Sequence, residues 1–443
     1  MRWITCALTL LVSLQMAPSV EAADLSRAAA ALRTAAKKGD MERIRSIFEE
    51  LGKSDQKKAA ALILQTLTKV PAHEVIEAAI EALVALGPER IGGAFDKLFK
   101  SRRTDEYLLA SMIAVAEKLD GERAEGWLVK GVQTRNYFIY RNATPPLVER
   151  RSKEAIPALI DLLERVGYKP SSESYMVRDA LIALTGQDFA SIEDWRSFWK
   201  VNAPTFDPKE LDEDVGKTGV PRKEAGGFKK PEFFGVEVFS NHVIFIVDVS
   251  GSMRMWDEGD EKIGKGPDWR TRERLARMKH HLTQAIRDLP EHSSFNVIAY
   301  SGWNKVFHPK GSVPASARWK KKSIEFVERL RAEGATHTDD ALRLAFEDTS
   351  VDAIFLLSDG APTREGAKTK ELIPAILEMV RNLNRLPRIK IFTFGFATEG
   401  KFPPGSQPPK GGKEDPDAPT LQDLIDFLTK LADENGGKYT PVE

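Results

Sequence analysis

Five consecutive apolar residues, Val243 to Val247, constrain the fold of this 443-residue chain more than any other feature. A half-exposed strand alternates apolar and polar side chains, whereas an unbroken apolar run is typical of a strand that is buried on both faces. Such a strand needs cover on both sides, and helices provide that cover in α/β proteins. Residues 236–443 are therefore predicted to form a Rossmann-like α/β domain, with a mostly parallel sheet flanked by helices.

The rest of this half alternates between strand and helix patterns. Crossover connections between parallel strands are right-handed, and ligands of such sheets collect at the carboxyl ends of the strands. The pattern predicts strands over 243–247, 295–300, 306–308, 353–357, 389–394 and 438–440, and helices over 272–289, 317–331, 339–346, 370–386 and 421–435.

Residues 23–200 have the composition and spacing of helices, and we expect about ten of them. In the segment 154–166 the apolar residues fall on one helical face. This segment contains Pro157 and is followed by a helix that begins near Val177-Arg178, so it resembles a HEAT repeat. The resemblance implies an α-helical solenoid, and an irregular helical bundle is the alternative. Either arrangement would serve as a scaffold or binding surface, with an aromatic cluster over 189–199 as its cap.

Residues 201–235 differ from both halves, because they hold four prolines, five glycines and thirteen charged residues with little periodicity. This composition predicts a partly extended linker. Three aromatic residues near its end are expected to dock onto the following domain: Phe228, Phe233 and Phe234.

Residues 1–22 are predicted to be a signal peptide, because an apolar stretch follows Arg2 and the small-residue pattern Val20-Glu21-Ala22 ends it. An uncleaved anchor is the alternative, although the run is short for a membrane span. We therefore expect an exported protein, periplasmic or extracellular, with no transmembrane segment after the leader. The only cysteine, Cys6, lies in the leader, which excludes an internal disulfide framework and a cysteine-rich metal site.

Three polar segments come directly after strands or at the start of a helix. They are Asp248-Val-Ser250-Gly-Ser252, Gly334-Ala-Thr336 and Ser358-Asp359-Gly360. In this order they resemble the von Willebrand factor A (VWFA) domain and its metal-ion-dependent adhesion site (MIDAS). The resemblance covers about residues 236–443. Five residues of these segments carry the resemblance: Asp248, Ser250, Ser252, Thr336 and Asp359. A turn or helix-cap role is conceivable for each of them alone, but not for all five together.

Ser250 and Ser252 are two residues apart in a turn, so both hydroxyl groups can reach one point. Oxygen ligands of this kind suit Mg²⁺, with Mn²⁺ or Ca²⁺ as alternatives. Thr336 can supply a third oxygen, directly or through water. The resemblance implies that Asp248 and Asp359 hold metal-bound waters and orient the serines. The predicted metal site therefore comprises Asp248, Ser250, Ser252, Thr336 and Asp359.

A cation held mostly by neutral oxygens can accept a further carboxylate, so the resemblance implies a protein partner that presents Asp or Glu. Lys+Arg and Asp+Glu are equal at 65 each, which argues against a nucleic-acid partner bound through bulk positive charge. No catalytic constellation is evident, and we expect a binding protein rather than an enzyme. The alternatives are a metal-independent scaffold whose helical half binds the partner and a metal-dependent hydrolase.

Loops 254–270 and 398–419 are expected near the metal face, where acidic residues of the first loop could block the site.

Overall fold

The computed structural model describes residues 20–442 except for 57, 71–72, 102–103, 169–171, 213–230, 239, 260, 397 and 405–419. The predicted leader, up to residue 19, lies outside the described residues. The chain divides into two compact units at Arg123/Ala124. In the part of the chain that is described, no helix combines the length and the apolar character that crossing a membrane requires.

The first unit is helical. Helix α4 bends at Gly87, whose φ of 77° is unfavourable for other residues, and Pro88 follows immediately. Apolar side chains at helical spacing, such as Ile44, Ile47 and Leu51, are buried between the helices. The helices are α1 (Val20–Lys38), α2 (Met41–Gly52), α3 (Lys58–Leu67), α4 (His73–Lys100) and α5 (Glu106–Glu117).

Five further helices precede the sheet, which confirms that the first half of the chain is helical. The predicted aromatic cluster is present: the ring of Phe189 packs edge-on against Trp195 at 4.9 Å, and Phe198 packs against Phe206 at 5.8 Å. The helices are α6 (Glu122–Gln133), α7 (Tyr137–Glu149), α8 (Ala155–Val166), α9 (Ser172–Thr185) and α10 (Ile192–Asn202).

The predicted α/β fold is confirmed in the second half of the chain. The main sheet has the order β5-β4-β3-β7-β8-β9, with β6 pairing with β4. The pairs β3–β4, β3–β7, β7–β8 and β8–β9 are parallel, and β5 and β6 run antiparallel to β4. The strands are β1 (Glu232–Phe233), β2 (Val236–Glu237), β3 (His242–Asp248), β4 (Ser294–Tyr300), β5 (Asn304–Val306), β6 (Val313–Pro314), β7 (Ala353–Ser358), β8 (Lys390–Phe396) and β9 (Tyr439–Val442).

Alternate residues of the central strands point to opposite faces of the sheet, and both faces are covered. Phe245 and Val247 belong to a core that includes apolar residues of α12 and α13, whereas Ile244 and Ile246 pack with residues of α14, α15 and α16. Burial on both faces explains the unbroken apolar run. The helices are α11 (Asp268–Thr271), α12 (Arg274–Asp288), α13 (Ala317–Glu328), α14 (Thr338–Phe346), α15 (Thr369–Asn384) and α16 (Leu421–Asp433).

Helix α7 contacts the amino-terminal ends of the central strands. The hydroxyl group of Tyr137 donates to the carboxylate of Asp352, which directly precedes β7, and the Tyr137 ring lies 4.9 Å from that of His242. Arg141 donates to the carbonyl oxygens of Val351, at 3.2 Å, and of Pro387. The second compact unit, residues 124–443, therefore contains helices from the first half as well as the sheet. The domain limits 23–200 and 236–443 stay a prediction.

The described parts of the segment 201–235 pack against their neighbours on either side. Arg151 donates to the carbonyl oxygens of Pro208 and Leu211, which holds the first part against the helices. At the other end, β1 and β2 form a short hairpin, and Phe233 is fully buried in the sheet core. The docking of Phe233 and Phe234 is thus as predicted, while Phe228 lies outside the described residues.

Candidate metal centre

Asp248, the last residue of β3, lies at the carboxyl end of the sheet and has no exposed surface. Its Oδ1 accepts the backbone N–H of Ser250 at 2.7 Å, and its Oδ2 accepts the hydroxyl group of Ser358 at 2.8 Å. Ser358 ends the neighbouring strand β7. Both of these hydrogen bonds come from neutral groups, so they fix the carboxylate without neutralising its charge.

The hydroxyl groups of Ser250 and Ser252 meet at the same place. Their Oγ atoms are 3.0 Å apart, and both can donate to Oδ1 of Asp359, at 3.4 Å from Ser250 and 2.8 Å from Ser252. A hydroxyl group that donates its proton to a carboxylate keeps its oxygen lone pairs available. The two serines and the two aspartates thus form one connected polar cluster beyond the ends of β3 and β7.

Thr336 reaches this cluster from the loop that precedes α14. Its backbone N–H donates to Thr363 Oγ1 at 3.0 Å, and its carbonyl oxygen accepts the N–H of Thr363 at 2.9 Å. Its own Oγ1 lies close to Gly360, 3.9 Å from where a Cβ atom would stand. The structure therefore places all five residues of the predicted site at one end of the sheet, with Thr336 beside the residue that follows Asp359.

Gly334 allows the Thr336 loop to approach the first serine turn. Its carbonyl oxygen accepts the N–H of Gly251 at 3.1 Å, and its φ of 85° lies in the left-handed region. A Cβ atom at this position would stand 3.2 Å from Ser301 Oγ and 3.3 Å from the backbone nitrogen of Gly302. The close packing of these loops thus depends on a residue without a side chain.

The donor set fits a hard divalent cation. All five side chains present oxygen, three as hydroxyl groups and two as carboxylates, which matches the preference of Mg²⁺. Among the described residues, no group of three or more His, Cys, Asp or Glu could hold a metal ion. A cation bound by this cluster would therefore depend on the hydroxyl oxygens of Ser250, Ser252 and Thr336.

Burial raises the pKa of both site carboxyl groups. For Asp248, loss of hydration and then the negative charge of Asp359 raise the pKa to about 7. The pKa of Asp359 is also raised by burial, against the opposing influence of the Arg274 charge and of the hydrogen bond from Ser252. Two buried carboxylates at one site repel each other, and a bound cation would relieve that repulsion.

Without a metal ion, the contribution of Asp248 to the stability of the folded chain is expected to fall as the pH rises from about 4 to about 7. Over this interval Asp248 keeps its proton in the folded chain but has lost it in the unfolded chain, because its pKa is raised to about 7 from an ordinary 3.8. Urea unfolding in EDTA at several pH values measures this slope. Asp248→Asn should gain stability relative to the wild type as the pH rises, and a difference between the two chains that stays constant or moves the other way would contradict the assignment.

Sequence reasoning missed Arg274, which occupies the first turn of α12 and is almost fully buried. Its Nη1 lies 3.1 Å from Oδ2 of Asp359, on the side away from the serines, and its Nη2 lies 2.8 Å from Oδ1 of Asp257. The missed signal was its register: Arg274 precedes Met278 and Leu282 at intervals of four on the buried face of the helix. A charged residue in such a position needs a buried partner.

Three described acidic side chains of the loop that follows the first serine turn are paired with basic residues. Asp257 pairs with Arg274, Glu258 with Lys401, and Glu261 with Arg277 at 2.8 Å and with His281 at 2.6 Å. The loop also joins the segment after β8, since Trp256 and Lys401 exchange backbone hydrogen bonds of 2.9 and 2.7 Å. The idea that acidic residues of 254–270 block the site is thus not supported by Asp257, Glu258 and Glu261, and Asp260 lies outside the described residues.

Comparison with known proteins agrees with this fold. The sequence profile of the von Willebrand factor type A domain matches residues 243–361. The chain is 27% identical over 210 residues to inter alpha-trypsin inhibitor heavy chain 4 of Mus musculus, a match that covers 45% of this chain and only 17% of that protein. The chain thus spans about one sixth of the length of this relative.

Similar solved structures include a von Willebrand factor type A protein from Catenulispora acidiphila, at 20% identity, a TM-score of 0.32 and coverage of 47% of this chain and 40% of that one. Another is the conserved hypothetical protein BatB from Bacteroides thetaiotaomicron, at 17% identity, a TM-score of 0.31 and coverage of 46% and 90%. The profile match and the sheet order identify a von Willebrand factor type A domain in the C-terminal half of this chain, with residues 243–361 matched.

Proposed function

We propose that this protein binds a partner protein through a divalent cation, most suitably Mg²⁺, held in a MIDAS-type site at the carboxyl end of the sheet. The observation that carries the proposal is the convergence of Asp248, Ser250, Ser252 and Asp359 into one hydrogen-bonded cluster. The partner would present an Asp or Glu carboxylate, because that group completes the coordination of an under-neutralised cation.

Three residues of the site would hold the cation, and the two aspartates would orient the serines. The hydroxyl oxygens of Ser250, Ser252 and Thr336 would hold the cation, which supplies the positive centre for a carboxylate. Asp359 accepts hydrogen bonds from the two serine hydroxyl groups and so turns their lone pairs away from itself. Asp248 fixes the serine turn through the N–H of Ser250. None of these roles breaks a bond, so the arrangement favours binding over turnover.

The proposal extends to the rest of the chain. A leader over residues 1–22 would export the protein to the periplasm or the medium, and the helical half would act as a HEAT-like scaffold. In support of the scaffold role, the successive helices α8 and α9 pack on each other, and both bury apolar side chains. Helix α7 meanwhile attaches the scaffold to the sheet through Tyr137 and Arg141.

Calorimetric titration with MgCl₂ tests the metal site. The wild-type chain is expected to bind one equivalent of Mg²⁺, whereas Asp248→Ala and Ser250→Ala should weaken binding by at least tenfold, because each removes an oriented oxygen of the cluster. Asp268→Ala is the matched control, since this aspartate is half exposed and pairs with Lys262 outside the cluster. An unchanged affinity in both site variants would refute the metal site.

Capture of partners with and without EDTA tests the binding role. Recovery of the same partners from EDTA-treated and untreated samples would favour a metal-independent scaffold. Turnover of an ester or phosphoester that depends on Asp248 would favour a hydrolase. The proposed function predicts neither result: partners should be lost on chelation and by Ser250→Ala.

A further inference from the structure

A buried arginine lies against the candidate metal site on the side opposite the serines. Arg274 and Asp359 have almost no exposed side-chain surface, 2% and 0% respectively, and their closest nitrogen and oxygen atoms are 3.1 Å apart. The two oxygens of Asp359 therefore have different partners: Oδ1 accepts the serine hydroxyl groups and Oδ2 faces the guanidinium group.

Arg274 cannot move away from this position without breaking other buried contacts. Its Nε and Nη2 donate to Asp257 at 2.8 to 3.1 Å, and Nη2 also donates to the carbonyl oxygen of Thr398 at 2.8 Å. The guanidinium group lies 5.6 Å from the centre of the Phe396 ring. A second arginine, Arg277, approaches Asp257 at 3.9 Å and bonds mainly to Glu261.

This fixed positive charge must affect cation binding. A cation held by Ser250 and Ser252 would lie near Asp359, because those hydroxyl oxygens are only 3.4 and 2.8 Å from its Oδ1. Charges in a buried site interact more strongly than in water. Arg274 offsets the negative charge of Asp359, and Asp257 in turn offsets part of the charge of Arg274.

We propose that the Arg274–Asp257 pair sets the cation affinity of the site, with Arg274 lowering this affinity through its charge beside Asp359 and Asp257 offsetting part of that effect. This inference rests on the proposed function and extends it. Arg274 is a positioning and charge-setting residue that acts through Asp359. Asp257 lies in the loop after the first serine turn and Thr398 lies in the segment after β8. Both segments are therefore connected to the site through Arg274.

Two variants with opposite expected effects test the proposal by calorimetric titration with MgCl₂. The variant Arg274→Gln/Asp257→Asn keeps neutral hydrogen-bonding groups in place of the ion pair. It should bind Mg²⁺ at least fivefold more tightly than the wild type, because Asp359 loses its adjacent positive charge. Asp257→Asn alone should bind Mg²⁺ at least threefold more weakly, because the charge of Arg274 is then less offset.

Thermal stabilisation by MgCl₂ provides a second readout, which should increase in the double variant and decrease in Asp257→Asn. Arg381→Gln is the matched control, since Arg381 pairs with Glu434 at 2.7 Å on the exposed surface of α15 and should leave the affinity unchanged.

The outcomes separate this inference from the function on which it rests. If the wild type binds Mg²⁺ and the double variant binds it equally or more weakly, the charge-setting role is wrong and the metal site stands. If neither chain binds Mg²⁺, both are wrong. If the double variant does not fold, the direction of the change in Asp257→Asn decides: tighter or unchanged binding overturns the role of Arg274.

Discussion

Replacing Phe233 by alanine is expected to lower the free energy of unfolding of the sheet unit by about 3–5 kcal/mol, the usual cost of removing a fully buried aromatic side chain. Phe233 lies on the β1–β2 hairpin and has no exposed surface. Its ring packs edge-on against Phe394 at 4.9 Å and Phe245 at 5.4 Å, and it also contacts Phe355. The cavity left by alanine would open between three central strands.

The measurement needs a probe inside the sheet, because a chain with two compact units need not unfold in one step. Amide hydrogen exchange at Phe245 and Phe355 in increasing urea reports on the sheet itself. Val201→Ala is a suitable control, since Val201 is 75% exposed and its truncation should change stability by less than about 0.5 kcal/mol. An unchanged free energy of unfolding in Phe233→Ala would mean that the β1–β2 hairpin does not stabilise the sheet.

Arg274→Ala is expected to destabilise the same unit by about 3–5 kcal/mol, since it would leave two buried carboxylates without their charged partner. Asp257 and Asp359 have side-chain exposures of 1% and 0%. The loss should be largest at neutral pH, where an unpaired carboxylate must either stay charged in a buried site or take up a proton. Urea unfolding followed at the same amides, at pH 5 and pH 8, measures both effects.

The double variant Arg274→Gln/Asp257→Asn provides the contrast for stability, because neutral groups of similar shape can replace a buried ion pair at little cost. We expect it to recover part of the stability that Arg274→Ala loses, because Asp257 is neutralised whereas Asp359 stays buried without its charged partner. Equal losses in both variants would show that shape rather than charge compensation governs this part of the core.

The sequence predicted the parallel strands well because their signal is local, whereas the strand expected over 306–308 lies at Asn304–Val306. The run from Val243 to Val247 is recognisable as a strand because a strand that is buried on both faces has apolar residues at every position. The observed strand adds one residue at each end. The convergence of Ser250 and Asp359 was predictable for a related reason. Each follows a parallel strand, and β3 and β7 are neighbours whose carboxyl ends meet at one edge of the sheet.

The charge pairs around the site could not be predicted in the same way. Arg274 meets Asp359 across 85 positions of sequence and Thr398 across 124, and no local pattern specifies such pairings. The contact of Tyr137 with Asp352 spans 215 positions and links a helix to the sheet. The composition of residues 201–235 predicts a linker, but it gives no indication of the contact between Tyr137 and Asp352.

The attachment of helix α7 has a mechanical consequence. Tyr137 and Arg141 contact the ends of β3, β7 and β8 that lie opposite the serine cluster, and the seven residues of β3 span roughly 20 Å between these two ends. A tensile load between α7 and a partner at the cluster would therefore run along the strands. The hydrogen bonds between parallel neighbours would share that load in shear instead of opening one after another, which makes the sheet the stiff element of the connection.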